Sequence, residues 1–202
     1  MTETVAQESS TEVDDWKREW QPVVDAIGRD FSDGEIQWGA DTVERGAIRR
    51  FTEPLELDCA LHTDPVAAMD RGFADVTMPY VAIMSATIPA MRGPSEVLFD
   101  SDERNAQPAR SPINNEGLGI GPKTTGFIGT DIDMDFLRPV VAGERLGRRS
   151  NRLVACSPKE TALGRGAFLK WECDIVTEAG EVVARQRTGT FAYVPTQKGE
   201  SS

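Results

Sequence analysis

The final third of the chain constrains the fold most strongly, because its apolar residues alternate with polar ones at a period of two. In the first such run, Ile132, Met134 and Phe136 occupy alternate positions, with aspartates between them. This period is typical of a β-strand that buries one face. Three further runs follow at 145–157, 166–177 and 182–194, with turns predicted at 141–143, 157–159 and 178–181. The sequence therefore predicts an antiparallel meander of four long strands.

The first half of the chain is predicted to be helical. Apolar residues recur at helical spacing over residues 13–27, and Gly28 marks the end of this N-terminal helix. Residues 41–44 carry an N-cap signal, which predicts a second helix through Phe51. The stretch 78–91 is apolar nearly all round, as expected of a helix that is enclosed on most sides. Helices followed by strands predict an α+β fold.

The length of 202 residues suits one domain. Residues 1–11 and 196–202 are polar and are predicted to be disordered tails, which leaves 12–195 as a single domain. Residues 92–124 are rich in proline, glycine, serine and asparagine without periodicity. A connection this long is usually functional, so it is predicted to form a flap or crossover.

Composition excludes several classes of function. A net charge of −11 argues against a nucleic-acid partner, because phosphate is repelled from most of the surface. No apolar run approaches the roughly 18 residues that a membrane span needs, and the N-terminus lacks the basic-then-apolar order of a secretory signal. We therefore expect a cytoplasmic protein. Its cysteines Cys59, Cys156 and Cys173 lack CxxC spacing, which favours reduced thiols over disulfides or a zinc site.

His62 is the single histidine of the chain and the first candidate for acid–base chemistry. Histidine can both take and give a proton near neutral pH. His62 is predicted to lie in a loop, and Asp64-Pro65 predicts the N-cap and first position of a short helix behind it. Two other interpretations stand beside catalysis. One is a surface or core-edge imidazole without a catalytic role, and the other is a thiolate nucleophile at nearby Cys59, which no oxyanion-type glycine motif accompanies.

Three aspartates, Asp131, Asp133 and Asp135, lie on one face of the first predicted strand. A metal site is one interpretation of this row. Alternate positions on a strand lie about 7 Å apart, however, which is too far for one small cation to bind all three carboxylates. The row therefore favours a solvated strand face, and no metal is expected.

Four parts of the sequence carry a resemblance to a known family. They are 42–51, Leu61-His-Thr-Asp-Pro-Val-Ala-Ala68, Thr77-Met-Pro-Tyr80, and 135–146 together with 180–187. In this order and spacing the chain resembles the MaoC-like hydratases and dehydratases, in particular the FAS1-like dehydratase domains. The resemblance implies a hot-dog fold, in which an antiparallel sheet wraps a long buried helix, here with an additional N-terminal helix.

The resemblance also implies an activity, the reversible addition of water across the 2,3 double bond of an enoyl thioester to give a 3R-hydroxyacyl product. Asp58 and His62 are the implied catalytic pair, and the backbone N–H groups of Tyr80 and Val81 are the implied oxyanion site. The family motif has its aspartate five residues before the histidine, where this chain has Leu57. Either a one-residue shift brings Asp58 beside His62, or the chain is a silent subunit that completes the acyl pocket of a catalytic partner, for example in steroid side-chain or fatty-acyl metabolism.

The implied substrate is a thioester of coenzyme A or of an acyl carrier protein, and no other cofactor is expected. Basic candidates for its phosphates are Arg104, Arg110, Lys123 and Arg148. A hot-dog thioesterase would need a carboxylate on the central helix, and 78–91 contains none. Because a single hot-dog sheet has a free edge, a homodimer or a heteromer with a second hot-dog protein is expected.

Overall fold

A computed structural model describes residues 15–105, apart from 94, 98 and 100, and residues 119–196. Within these ranges the strands form one antiparallel sheet in the order β1-β3-β4-β5-β2. They are β1 (Gln37–Thr42), β2 (Gly126–Phe136), β3 (Arg145–Thr161), β4 (Gly164–Thr177) and β5 (Val182–Pro195). The two edges of the sheet are therefore the short strand β1 and the long strand β2.

All four predicted strands are present, but only the last three form a meander. β2 pairs with β5 and not with β3, so the expected position of the first strand is wrong. The connection 137–144 crosses the end of the sheet between β2 and β3. Three strand spacings amount to about 14 Å, and eight extended residues reach about 26 Å. The connection is therefore long enough to cross the sheet. A short turn of the kind that joins neighbouring strands would not reach.

The connection 137–144 is fixed by ion pairs. The Arg138 guanidinium donates to Glu144 at 2.7 Å and to Glu181 at 2.8 Å. Glu144 also accepts the N–H of Val141 at 2.7 Å. These bonds, the one to Glu144 above all, raise the pKa of Arg138 above its already high value. The path of the crossing is thereby held by charge-assisted hydrogen bonds.

The turn predicted at 157–159 is also wrong. β3 continues through this region to Thr161, and the chain turns only before Gly164. Pro158 lies within the strand, opposite Ala167. β1 pairs only with the start of β3, up to Arg148, so β3 has a single strand neighbour at Pro158. An edge of this kind tolerates the missing N–H of a proline.

The helices are shorter than the sequence patterns suggest. They are α1 (Gln21–Asp25), α2 (Arg45–Thr52), α3 (Pro65–Met69) and α4 (Ile83–Ala86), with 3-10 turns at Glu53–Leu55, Ala60–His62 and Tyr80–Ala82. Residues 15–18 are also helical, but a turn separates them from α1, so the predicted N-terminal helix is interrupted. Gly28 follows α1 at φ +93°, as its predicted role requires. No helix in the described ranges has the length and apolarity needed to cross a membrane.

Two predicted helix boundaries differ from the structure for local reasons. Asp41 does not cap α2, because residues 41 and 42 belong to β1 and Glu44 is the N-cap. The expected long buried helix at 78–91 is only the turn Tyr80–Ala82 followed by α4. Pro89 disfavours helical backbone at the residue before it, and the carbonyl of Ile88 instead accepts the N–H of Ala40 in β1.

The core consists of two clusters on the same face of the sheet, which we call the inner face. In the first, Ile83 of α4 packs with sheet residues that include Leu146 and Ile175. In the second, Trp20 and Val23 at the N-terminal helix pack with sheet residues including Leu153, Ala167, Leu169 and Ala192. The N-terminal helix therefore covers a part of the inner face that α4 does not reach.

Between the two clusters, β5 presents polar residues to the inner face. Gln186 lies opposite Cys173, and Thr190 lies opposite Leu169. The amide of Gln186 donates to the hydroxyl of Thr188 at 2.9 Å. Its Oε1 atom and the Thr190 hydroxyl are buried and have no hydrogen-bond partner among the described residues. A buried, unpaired hydroxyl costs about 1–3 kcal/mol.

We expect Thr190→Val to raise the free energy of unfolding by about 1 kcal/mol, because it removes the unpaired hydroxyl at nearly constant shape. Urea denaturation measures the change. The matched control is Thr87→Val, at another buried threonine, whose hydroxyl donates to the Met84 carbonyl at 2.9 Å. That variant loses a bond and should be less stable than the wild type. Equal losses in both variants would contradict the prediction.

Candidate active site

His62 ends a 3-10 turn, Ala60–His62, that lies between α2 and α3. Asp64 caps α3, since its carboxylate accepts the N–H of Val66 at 2.8 Å, and Pro65 is the first residue of that helix. The predicted cap is therefore confirmed. The N–H of Asp64 also donates to the Ala60 carbonyl at 2.8 Å, which closes the turn around His62. Local capping thus fixes where the histidine sits.

The imidazole ring of His62 is held by the backbone of Thr77. Its Nδ1 atom lies 2.8 Å from the Thr77 carbonyl oxygen and 3.1 Å from the Thr77 hydroxyl. A carbonyl oxygen can only accept, so in the neutral ring Nδ1 carries the proton and donates. Nε2 then keeps its lone pair. This is the tautomer in which Nε2 can take a proton from water.

Thr77 is itself fixed between two parts of the chain. Its N–H donates to the Leu61 carbonyl at 2.8 Å. On the other side of the extended segment 76–78, the Met78 N–H donates to the Val140 carbonyl at 2.7 Å, and the Val76 carbonyl accepts the N–H of Ala142 at 3.0 Å. The segment therefore joins the His62 loop to the connection that crosses the end of the sheet.

Asp58, the other half of the implied pair, is not bonded to the ring. Its side chain is exposed, and no hydrogen bond joins it to His62 within the described residues. Leu57, which stands at the family's aspartate position, donates its N–H to the Thr52 carbonyl at 3.1 Å. The contact that orients the ring comes from Thr77, which the sequence patterns did not single out. The only available signal was its place in Thr77-Met-Pro-Tyr80.

The implied oxyanion groups lie three and four residues beyond Thr77. Tyr80 and Val81 open the 3-10 turn that leads into α4, and Pro79 precedes it. Neither N–H has an acceptor within the described part of the chain, and the first bond of the turn runs from Ala82 N–H to the Pro79 carbonyl at 2.9 Å. Both residues are exposed. The segment 76–80 thus connects Thr77, which holds His62, to this turn.

A cleft of about 220 Å³ lies between β1, α2 and α4. Its apolar wall includes Val43, Phe51, Met78 and Ala82, and its charged residues are Asp41, Glu44 and Arg50. Met78 follows Thr77 directly, so the cleft adjoins the segment that holds His62. The imidazole itself is not part of its lining.

The basic residues expected at the phosphates are dispersed. Arg104 and Lys123 are exposed, whereas Arg110 lies outside the described residues. Arg148 is half-buried on the inner face opposite Ile175, and its guanidinium donates to the Thr87 carbonyl at 3.3 Å. Its Nε atom is buried without a partner among the described residues. A phosphate-binding role for these four cations stays a prediction.

The thiols and the described carboxylates were the other candidates for chemistry in the sequence. Burial raises the pKa of both Cys156 and Cys173 to about 11, so these thiols stay protonated near neutral pH. Cys59 is exposed, and no side-chain hydrogen bond joins it to His62 among the described residues. In the same part of the chain, no group of three or more histidine, cysteine or acidic side chains is arranged to hold a metal ion.

Residues 26–186 match the family described as FAS1-like, dehydratase domain region. The match covers most of the chain, which therefore belongs to this family. A curated relative, the probable enoyl-CoA hydratase alpha subunit of Thermomonospora curvata, is 27% identical over 169 residues. That alignment covers 84% of this chain and 50% of the relative, so the chain spans about half the length of the curated relative that it matches.

Solved structures share the fold, among them the following two. A chain of the ChsH1-ChsH2 complex from Mycobacterium tuberculosis aligns with a TM-score of 0.59 at 20% identity, covering 91% of this chain and 98% of that one. A MaoC-like dehydratase from Rhodospirillum rubrum aligns with a TM-score of 0.50 at 19% identity, covering 82% and 94%. The predicted hot-dog fold is confirmed, although its central helix is shorter than expected.

The position of the proton on His62 can be measured directly, because the chain has a single histidine. We expect ¹⁵N NMR of the neutral ring to show Nδ1 protonated and Nε2 unprotonated, since Nδ1 donates to the Thr77 carbonyl. In Thr77→Val the hydroxyl is lost but the carbonyl remains, so the same tautomer should persist. A ring protonated mainly on Nε2 would contradict the assignment.

Proposed function

We propose that this chain is an enoyl-thioester hydratase, which in reverse acts as a (3R)-hydroxyacyl-thioester dehydratase. The observation that carries the proposal is the hydrogen bond from His62 Nδ1 to the Thr77 carbonyl, which leaves Nε2 free as a base. Family membership supports the reaction class. The name of the Thermomonospora curvata relative, an enoyl-CoA hydratase alpha subunit, supports the substrate class.

In the proposed hydration, Nε2 of His62 takes a proton from a water molecule as its oxygen adds to C3 of the enoyl thioester. The electrons of the double bond move towards the thioester carbonyl, and negative charge develops on its oxygen. The protonated imidazole then returns the proton to C2, so that one water is added in total. Dehydration follows the same steps backwards.

The developing enolate oxygen is assigned to the N–H groups of Tyr80 and Val81. Both groups lack an acceptor within the described part of the chain. Donors aimed at charge that appears only in the transition state lower the barrier without reorganising. The thioester would then lie between the His62 loop and the turn Tyr80–Ala82.

In the proposed mechanism Asp58 acts on the attacking water and not on the imidazole ring. Because no hydrogen bond joins it to His62 among the described residues, it cannot orient the ring as the Thr77 carbonyl does. Its exposed carboxylate can instead accept a hydrogen bond from the attacking water. Asp58 stands four residues before the histidine, and the family aspartate stands five before it. A role different from that of the family aspartate is therefore compatible with the position of Asp58.

The substrate carrier is proposed to be coenzyme A or an acyl carrier protein, with the acyl chain entering the cleft beside Met78. The carrier's phosphates would meet Arg104, Arg110, Lys123 or Arg148. The proposed assembly is a homodimer or a heteromer with a second hot-dog protein. The free edge of β2, which pairs only with β5 within the described residues, supports such an assembly.

A second candidate is a silent subunit that completes the acyl pocket of a catalytic partner. Two observations favour it: Leu57 replaces the family aspartate, and no bond joins Asp58 to His62 among the described residues. The ChsH1-ChsH2 complex, which contains a structural neighbour of this chain, is an assembly of two components. Under this alternative His62 would take no part in proton transfer.

The deciding experiment is hydration of a short trans-2-enoyl-coenzyme A by the purified chain alone. General acid–base catalysis contributes roughly 10²–10⁴-fold, so we expect His62→Ala to lower kcat by at least about 100-fold. Asp58→Asn should lower kcat by about tenfold or more, because the Asp58 carboxylate positions the water and does not transfer the proton. Asp70→Asn makes the same charge change eight residues from His62, at an exposed carboxylate, and is the matched control.

The outcomes separate the two candidates. Loss in both variants with full activity in Asp70→Asn supports a hydratase that uses its own residues. Activity that survives His62→Ala contradicts the mechanism. A wild-type chain that is folded but inert, and that becomes part of an active enzyme when mixed with a second hot-dog protein carrying the complete motif, supports the silent subunit.

A further inference from the structure

The backbone bonds of the segment 76–78 alternate between its two sides. The carbonyl of residue 76 and the N–H of residue 78 bond to the connection 137–144. Between them, Thr77 is the bridge partner of Val141. In an antiparallel pair, a residue flanked by such bonds turns its own N–H and carbonyl away from the partner strand. The Thr77 carbonyl therefore points at His62 because the residues on either side of it are held by the connection.

Val141 turns its backbone away from the segment in the same way, and Glu144 holds it from behind. Oε2 of Glu144 accepts the Val141 N–H at 2.7 Å, and the N–H of Glu144 donates to the Val141 carbonyl at 3.3 Å. Both backbone groups of Val141 are thus bonded to one residue. The connection meets the segment through the two neighbours of Val141, so the direction of those bonds follows from this turn.

The carboxylate of Glu144 is aimed by Arg138. Two nitrogens of the guanidinium meet the two oxygens of Glu144, at 2.7 Å and 3.1 Å, and one of them also donates to the Pro139 carbonyl at 2.7 Å. The two side chains are only 28% and 22% exposed. A bidentate pair of this kind adds geometric specificity as well as energy. Arg138 therefore fixes the carboxylate where it can accept the Val141 N–H.

Both functional groups of the candidate site depend on the segment that this turn holds. The Thr77 carbonyl orients His62, and the chain continues from Met78 into the turn that carries the N–H groups of Tyr80 and Val81. A displacement of the segment therefore changes the orientation of the proposed base and the position of the proposed oxyanion donors. Misplacing reacting groups by about 1 Å, even through a distant substitution, can lower a rate by about 100-fold.

We infer that Glu144, oriented by Arg138, is a positioning residue for the reaction. It meets no reacting atom and acts through Val141 and Thr77 on the ring of His62. Its effect on the rate rests on the proposed function. Its effect on the ring does not depend on whether the chain is active alone.

We expect Glu144→Gln to lower kcat for a short trans-2-enoyl-coenzyme A by about tenfold, because the reacting groups lose their alignment. KM should change by less than about twofold, since an interaction that matters only in the transition state is lost. In the same variant, ¹⁵N NMR should show a larger fraction of neutral His62 protonated on Nε2, because the acceptor of Nδ1 is no longer held. A role in stability alone would change neither readout at temperatures where the variant is folded.

Glu172→Gln is the matched control. The carboxylate of Glu172 is 15% exposed and also bonds to two arginines, Arg152 at 2.8 Å and Arg187 at 3.1 Å, but these bonds join strands of the sheet and not the connection 137–144. A second control is Glu181→Gln, which removes the other partner of Arg138 and leaves the Glu144 pair in place. Both controls should keep the kcat and the His62 tautomer of wild type.

The inference is overturned if Glu144→Gln is folded and keeps the kcat and the tautomer of wild type. It is also overturned if Glu172→Gln lowers kcat equally, because the loss of any shielded ion pair would then suffice. An inert wild-type chain contradicts the proposed function, and the tautomer then decides alone: a change in Glu144→Gln but not in Glu172→Gln supports positioning, and no change overturns it. Where Glu144→Gln does not fold, Arg138→Lys replaces it, because lysine keeps the charge and lacks the bidentate fork.

Discussion

The extended segment 76–78 is the element on which the candidate site depends, because it is hydrogen-bonded on both sides. Thr77 bonds to Leu61 in the His62 loop, and its neighbours bond to Val140 and Ala142 in the connection from β2 to β3. That connection is in turn braced by the ion pairs of Arg138. The His62 loop is thereby hydrogen-bonded, through this segment, to the connection between β2 and β3.

One short central helix is sufficient because N-terminal residues share the cover of the inner face. In the expected fold a long helix would fill the inner face, but α4 spans four residues. The remaining area is covered by the N-terminal residues Trp20 and Val23, which form the second cluster. Dividing the cover in this way leaves polar residues of β5 between the clusters, and their unpaired atoms lower the stability that a continuous apolar core would have.

Some features that depend on local sequence were predictable, although the cap predicted at Asp41 and the turn predicted at 157–159 are wrong. The period of two located the strands, and Asp64-Pro65 located the start of α3, because capping involves only neighbouring residues. Features set by distant contacts were not. The position of β2 beside β5 follows from how the chain crosses the sheet, and the bond of the Ile88 carbonyl to Ala40 of β1 joins residues far apart in the sequence. The bond from His62 to Thr77 joins residues 15 positions apart and has no periodic signal.

The contact that orients His62 uses a main-chain carbonyl, and this has a consequence for how the site can change over time. Every amino acid supplies such a carbonyl, so position 77 can vary in identity while the ring keeps its orientation. The information that sets the tautomer therefore resides in the path of the backbone and not in a particular side chain. Comparing residue types across relatives would overlook this contact, whereas superposing their backbones would reveal it.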